Sequence, residues 1–252
     1  MNTELLKDLI EAGVHFGHQT RKWHPGMKPF LLTTRNNVHI INLEETTRQV
    51  AVAADFLCDA AKAGKRILFV GCKRQAQDAV REAAETTGQF YVNHRWLGGT
   101  LTNFATIKKS ISRLKYLETI EQQPEFKMMS KKELAALGRE KAKLQRNLSG
   151  IRELSGPPDI MVIVDSHREG IAVAEGRRLG IPIVAMTDSN ADPYQVNYPI
   201  ASNDDAVRSI RIILQQLVVP LLATLEMAGR APKKKAAAPE AAASEADAVA
   251  AA

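Results

Sequence analysis

Residues 159–165 read DIMVIVD, and from His167 the chain continues HREGIAVAEGRRLG. The stretch IMVIV is apolar without a break, so it suits a strand covered on both faces rather than one with a wet side. The pattern recurs. RILFVG (66–71) leads into KRQAQDAVREAAETTG, QFYVN (89–93) is a short strand, and IPIVAMTD (181–188) and NYPIAS (197–202) precede NDDAVRSIRIILQQLVVPLLATLEMAG. VHIINL (38–43) opens EETTRQVAVAADFLCDAAKAG, where Val50, Ala53, Ala54, Leu57 and Cys58 recur at helical spacing. Strands alternating with helices imply a parallel sheet with right-handed crossovers, hence a doubly wound, three-layer α/β domain.

One segment breaks the alternation. Between 104 and 154 there is no strand; Phe104, Ile107, Ile111, Leu114, Leu117 and Ile120 recur every three or four residues, as do Leu134, Leu137, Leu144, Leu148 and Ile151. Pro124 sits in the polar break EQQPEFKMMSKK. The expectation is an antiparallel coiled-coil hairpin projecting from the domain, with two ordinary packed helices as the alternative. The organisation is then an α/β domain from 1–103 and 155–230, an inserted hairpin at 104–154, and a disordered Ala-rich tail at 231–252, APKKKAAAPEAAASEADAVAAA.

The 252 residues, 45% hydrophobic, suffice for one sizeable domain with an appendage. There is no run of uncharged apolar residues long enough for a membrane span, and MNTELLKDLIEAG lacks a basic-then-apolar leader pattern, so a cytoplasmic protein is expected. Cys58 and Cys72 are too few for a disulfide framework and read as buried thiols. The net charge is +6, and its distribution is uneven. Residues 15–37 hold Arg21, Lys22, Lys28 and Arg35 with no acid; residues 95–115 hold Arg95, Lys108, Lys109, Arg113 and Lys115, again with none. Residues 155–210 hold eight acids against four bases, and are expected to face protein, solvent or a metal. Two unopposed basic segments point to nucleic-acid phosphate, because each cation laid on phosphate releases counterions; a merely soluble basic surface is the alternative.

The fold invites a nucleotide reading, which the residues do not support. The turn FVGCKRQA has only Gly71, with Lys73 and Arg74 where a dinucleotide site needs glycines, and no G-x-x-x-x-G-K-[ST] occurs. In GTLTNF (99–104), Gly98-Gly99 forms an elbow beside Trp96, and Thr100, Thr102 and Asn103 can donate to phosphate or ribose; Thr102 or Asn103 can also cap the hairpin's first helix. The stretch VHFGHQTRKWHPGMKPFLLTTRNN (14–37) contains His15, His18 and His24, but no cysteine accompanies them and no helical pair exists. Arg21, Lys22, Trp23 and Lys28 read better as phosphate contacts with an aromatic to stack, on a loop set by Pro25 and Pro29. A carboxylate cluster competes for the chemistry. Asp165, Asp188, Asp204 and Asp205 all follow strands, so His24 with Asp188, Asp204 and Asp205 is a candidate zinc or magnesium set. The alternative is that Asp204 or Asp205 caps the following helix and Asp188 opens a turn. Cys72, Ser166 and Ser189 follow strands too, but there is no G-x-S-x-G elbow and no triad emerges.

HFGHQTRKWHPGMKPF (15–30), RWLGGTLTN (95–103) and PDIMVIVD (158–165), in this order, resemble the bacterial small-subunit ribosomal protein two family, over nearly the whole folded chain. The resemblance implies a Rossmann-like α/β domain with a protruding coiled-coil hairpin and no catalytic activity. It also implies binding to small-subunit ribosomal RNA between head and body, and help in docking the messenger-binding small-subunit ribosomal protein one. Carried onto this chain, it makes Arg21, Lys22, Arg35, Asn36, Arg95, Thr102, Asn103, Lys108 and Lys109 candidate RNA contacts; Trp23, Lys28, Trp96, Thr100 and Arg113 join them from the two basic segments. Two rivals stand beside this reading: a small-molecule or metal-dependent enzyme using the carboxyl edge of the sheet, and a protein-only adaptor acting through the hairpin.

Overall fold

The structure is a computed structural model, and it describes residues 3–120 and 130–230. The Ala-rich tail at 231–252 and the break around Pro124 lie outside the described residues. In chain order the elements are α1 (Thr3–Glu11), β1 (Phe16–Gln19), β2 (Leu31–Arg35), β3 (Val38–Ile41), α2 (Leu43–Lys62), β4 (Ile67–Val70), α3 (Gln77–Thr87), β5 (Phe90–Val92), α4 (Phe104–Ile120), α5 (Lys131–Leu148), β6 (Ile160–Val164), α6 (Gly170–Arg178), β7 (Ile183–Thr187), β8 (Tyr198–Ala201) and α7 (Val207–Met227).

The continuous apolar runs form a five-stranded sheet in the order β5-β4-β6-β7-β8, parallel throughout. Because the run ILFV is apolar at every position, both of its faces can be covered, and they are. Ile67 and Phe69 pack with Ile160, Val162 and Val184 under α2, α3 and α7. Leu68 and Val70 pack with Met161, Ile163 and Ile183 under α4, α5 and α6. This is the Rossmann-like three-layer arrangement. Chain direction through the sheet reverses between β4 and β6, the switch point where open α/β sheets usually bind ligands. The β8 edge is closed by α2: Thr46 Oγ1 donates to the Ala201 carbonyl, and Gln49 Oε1 accepts from the Ala201 amide. Helix α7 has the length and hydropathy of a membrane span, but its apolar face (Ile210, Ile213, Leu214, Leu217, Leu221) is part of the core packed with α2 and α3.

Two sequence expectations need correcting. VHIINL does not join the parallel sheet; β3 is the centre of a separate antiparallel sheet, β1-β3-β2. The segment 14–37 is therefore not a loop but two strands joined by 3₁₀ turns at 20–22 and 25–30, the prolines being absorbed by the second turn. The β2–β3 hairpin turns on Asn36 and Asn37, both left-handed (φ 50 and 60), a backbone that asparagine tolerates and that matches the strand twist. Helices α4 and α5 lie side by side. Their inner turns belong to the domain core, where Ile107, Ile111 and Leu114 meet Leu148 and Ile151. Farther out Leu117 and Ile120 stay buried while Leu134 and Leu137 are half-buried.

Candidate nucleic-acid interface and the carboxyl-edge cluster

The small antiparallel sheet sits on the carboxyl edge of the large one. Ser189, in the turn after β7, accepts the His18 amide on its Oγ at 2.8 Å and the His24 amide on its carbonyl at 2.7 Å. The approach is close enough to require glycine at 17: a Cβ there would lie 2.9 Å from Ser189 Oγ and 3.2 Å from Asp188 Oδ1. Met27, fully buried with Ile41 and Ala201, supplies the apolar part of the contact.

Beneath this lid lies a cluster of charge. Lys73 Nζ stands 2.6 Å from Asp204 Oδ1, 2.6 Å from Asp205 Oδ1 and 3.3 Å from Asp165 Oδ2. Burial works against the ammonium, but the Asp204 and Asp205 carboxylates outweigh it and hold the pKa above the usual lysine value. Burial, reinforced by the charges of Asp165 and Asp188, pushes Asp204 up to about 7. His18 lies between two acids, Nδ1 at 3.1 Å from Asp188 Oδ2 and Nε2 at 3.4 Å from Asp205 Oδ2. Contact with Asp188 raises its pKa against the opposing effect of burial. Despite this approach, Nδ1 has no aligned hydrogen-bond partner. Neither Asp204 nor Asp205 caps α7; Asn203 Oδ1 takes the Asp205 and Ala206 amides instead. Asp188 does form a turn, its Oδ1 accepting from the Ser189 amide.

The metal set proposed from sequence differs from the cluster that converges in two members, His24 and Asp205. His24 Nδ1 accepts from the Gly26 amide and caps the second 3₁₀ turn, away from the acids. The histidine that converges is His18: His18, Asp188 and Asp204 each offer a ligand atom within 4.8 Å of the others. Two of their atoms, His18 Nδ1 and Asp204 Oδ2, lack hydrogen-bond partners, so this trio is the one that could hold a zinc- or magnesium-type ion. Asp205 is held by Lys73 and His18 at the cluster's outer side, with 59% of its side chain exposed. Lys73 supplies a positive charge on the other oxygen of Asp204, Oδ1.

The positions where a nucleotide phosphate would sit are filled from within. Gly71 serves packing, since a Cβ there would lie 2.8 Å from Val80 Cγ2. The Cys72 amide donates to Glu169 Oε1 at 3.0 Å. Cys72 is half-buried rather than buried, as is Cys58; burial and the neighbouring Glu169 push the Cys72 thiol up to about 12, which disfavours the thiolate. At the other loop, the Glu175 carboxylate accepts the amides of Gly99 (2.8 Å), Leu101 (2.9 Å) and Thr102 (3.0 Å), the Trp96 indole N–H (3.1 Å) and the Thr102 hydroxyl (3.1 Å).

The candidate RNA residues divide accordingly. Arg35 pairs with Val38, Gln19 pairs with Val38 from the other side, and the Thr20 amide donates to the Asn37 carbonyl, so Arg21, Lys22, Arg35 and Asn36 share one exposed tip of the small sheet. Lys28 is exposed on the second 3₁₀ turn, and Trp23 is half-buried, its ring 5.3 Å from that of His39. Arg95, Asn103, Lys108 and Lys109 are exposed along the loop after β5 and the start of α4. Thr102 is exposed but has its amide and hydroxyl committed to Glu175. Trp96 and Thr100 are buried, the indole bonded to Glu175 and the hydroxyl to the Leu97 carbonyl. Arg113 is turned onto α5, where its guanidinium makes two bonds to Glu140, at 3.0 and 2.9 Å. The acids of 155–210 do not all face outward as expected: Asp165, Glu169, Glu175, Asp188 and Asp204 are buried as partners of interior donors. Sequence reasoning missed Lys73, Glu169 and Glu175 as a group, because no local spacing links residues that meet from different strands and helices.

Fold and site together define a doubly wound α/β protein whose ligand crevice is closed by its own charged side chains and whose outer rim is basic. Residues 9–222 match the family model described as ribosomal protein S2, and the chain belongs to that family. It is 51% identical over 222 residues to "Small ribosomal subunit protein uS2" from a Nitratiruptor species, an alignment covering 88% of this chain and 83% of that relative.

Proposed function

We propose that the chain is a non-catalytic structural constituent of the small ribosomal subunit. In this reading it binds ribosomal RNA through the tip of the small sheet and the start of α4, and works in the cytoplasm without a cofactor. The observation that carries this reading is the tip itself: Arg21, Lys22, Arg35 and Asn36 come together on an exposed hairpin from an acid-free stretch of sequence. Cations placed this way position phosphate and add counterion release to affinity. The second patch, at Arg95, Lys108 and Lys109, leaves from the same carboxyl rim at the opposite side of the sheet, so one RNA can be held at two separated places. The reading extends to a place between head and body, with α4 and α5 as a coiled-coil hairpin rooted in the domain core. It also extends to docking of the messenger-binding small-subunit ribosomal protein one. For a protein partner, the suitable surface is the apolar groove of about 410 Å³ lined by Leu6, Ile10, Leu32 and Ile40, with Ile10 and Leu32 exposed.

The enzyme rival loses support because Asp165, Asp188, Ser189 and Asp204 are buried in this structure. The test is the salt dependence of binding between the full chain and small-subunit ribosomal RNA. A steep linear fall of log K with log salt is expected, and salt-independent or absent binding overturns the reading.

A further inference from the structure

We infer that Glu175 is the positioning residue for the second patch: as a built-in anion it folds residues 99–102 into a nest of N–H donors and so aims the start of α4, with Lys108 and Lys109, at phosphate. This rests on the RNA-binding reading above and adds a residue that itself touches no RNA.

The argument starts where Glu175 is anchored. It lies on α6, which is pressed against the large sheet at Gly176; a Cβ there would come 2.8 Å from Met161 Sδ and 3.0 Å from Ile183 Cδ1. The helix therefore cannot drift, and the carboxylate of the preceding residue is fixed in space. Five donors from the loop converge on its two oxygens: Trp96 Nε1 and the Gly99 amide on Oε1, the Leu101 and Thr102 amides and the Thr102 hydroxyl on Oε2. Successive amides turned toward one side are an anion-binding concavity. Gly99 at φ +85 supplies the left-handed residue that such a turn needs. The Asn103 amide then returns to the Gly99 carbonyl at 2.8 Å, and α4 starts at Phe104. Loop shape, helix origin and helix direction thus follow from one carboxylate. Lys108 and Lys109 sit about one turn further on, both exposed, Lys109 on the side of the helix opposite Ile107 and Ile111 and Lys108 beside it. The same carboxylate already occupies the nest, so Thr102 and Trp96 serve the interface as scaffolding for it.

Burial favours the neutral acid at Glu175, but the Thr102, Leu101 and Gly99 amides and the indole outweigh it and keep the carboxyl below the ordinary range. The charge is therefore present at neutral pH, which Glu175→Gln removes while keeping the shape; Glu175→Asp keeps the charge and shortens the reach.

The experiment uses the full chain with each variant in two readouts. Hydrogen exchange is expected to show the Gly99, Leu101 and Thr102 amides losing protection in E175Q, by roughly 100-fold for donors left without their partner, while β4 and β6 amides are unchanged. Unchanged protection in 99–102 overturns the inference without touching the RNA-binding reading. Binding to small-subunit ribosomal RNA is then measured in a double-mutant cycle. E175Q is expected to weaken binding about 10-fold alone, to add nothing further in a K108A/K109A background, and to add fully to R21A/K22A. Additivity with both pairs makes Glu175 a general stability residue and overturns the inference. If E175Q does not fold, E175D carries the same cycle. If the wild-type chain itself fails to bind RNA while E175Q loses protection at 99–102, the RNA-binding reading has failed and the phosphate-aiming role falls with it.

Discussion

Replacing Lys73 by Met tests whether the carboxyl-edge cluster is held together by one cation. Met matches the length of the lysine stem but removes a charge that lies 2.6 Å from Asp204 Oδ1, 3.3 Å from Asp165 Oδ2 and 2.6 Å from Asp205 Oδ1. The Asp205 pair is discounted because its side chain is 59% exposed and solvent screens it. The Asp204 and Asp165 side chains are 1% and 8% exposed, and stripping the partner from a buried pair costs about 3–5 kcal/mol. The cost depends on pH in a definite direction. Asp204 titrates near 7 in the folded chain against its ordinary 3.8, so between these values the folded state holds a proton that the unfolded state has released. That contribution to stability is full below 3.8 and lost as pH rises through 7, and without Lys73 the folded pKa rises further. At pH 5.5 the variant has Asp204 neutral and needs no counter-ion for it; at pH 8.5 it must either ionise a buried acid next to Asp165 and Asp188 or keep a proton that the unfolded chain has released. Urea unfolding followed by circular dichroism is expected to give a loss of about 3–5 kcal/mol at pH 8.5 and roughly half that at pH 5.5. A loss under about 1 kcal/mol at pH 8.5, or an equal loss at both pH values, refutes the reasoning.

Three further outcomes follow from single contacts. Gly17→Ala pushes a methyl group to 2.9 Å from Ser189 Oγ, so it is expected to lower stability by about 1–3 kcal/mol and to open residues 16–41 to proteolysis before the large sheet; an unchanged melting temperature argues against close docking. Asn36→Val forces a β-branched residue into φ 50 at the hairpin and is expected to cost about 1–3 kcal/mol in chemical denaturation, while Asn36→Gly is near neutral. Lys108→Ala with Lys109→Ala is expected to weaken RNA binding and reduce the salt slope by roughly one unit per lost phosphate contact; an unaltered slope removes both from the interface.

The large sheet was legible because its strands are apolar at consecutive positions: IMVIV and ILFV admit no arrangement with one wet face, and both are wholly buried. The small sheet was not. Its strands are only four or five residues long, LLTTR is mostly exposed, and Pro25 and Pro29 signal a loop more strongly than FGHQ and VHII signal pairing. The decisive local cue was Asn36-Asn37, a left-handed pair between two β-prone runs. At the site, the sequence placed Asp165, Asp188, Asp204 and Asp205 at one edge, since strand ends in a parallel sheet share one rim. It grouped them with His24, whereas His18 is the histidine that lies against them, because that depends on which residue of an unrecognised strand points inward. Trp96 was attractive as an RNA contact from its place in a basic segment; its indole is instead bonded to Glu175, a residue 79 positions away that no spacing rule connects to it, and Thr100 is bonded to the Leu97 carbonyl.

The buried acids also change what the net charge means. Asp165, Glu169, Glu175, Asp188 and Asp204 are all at least nine-tenths buried, against Lys73 alone among the bases in the core of the described residues. The interior is therefore richer in acid than the chain as a whole, and the solvent-facing surface is more basic than a net +6 suggests. The two halves of the chain divide this work. Residues 155–210 carry the acids inward, where they accept from Cys72, from the 99–102 amides and from Lys73; residues 15–37 and 95–115 leave most of their cations outside. A doubly wound fold that binds a nucleotide keeps its strand-end donors free for a diffusible anion. Here Glu169 and Glu175 take that place permanently. The same fold becomes a body whose exposed cations lie on its outer rim, which is the arrangement that the proposed RNA-binding role requires.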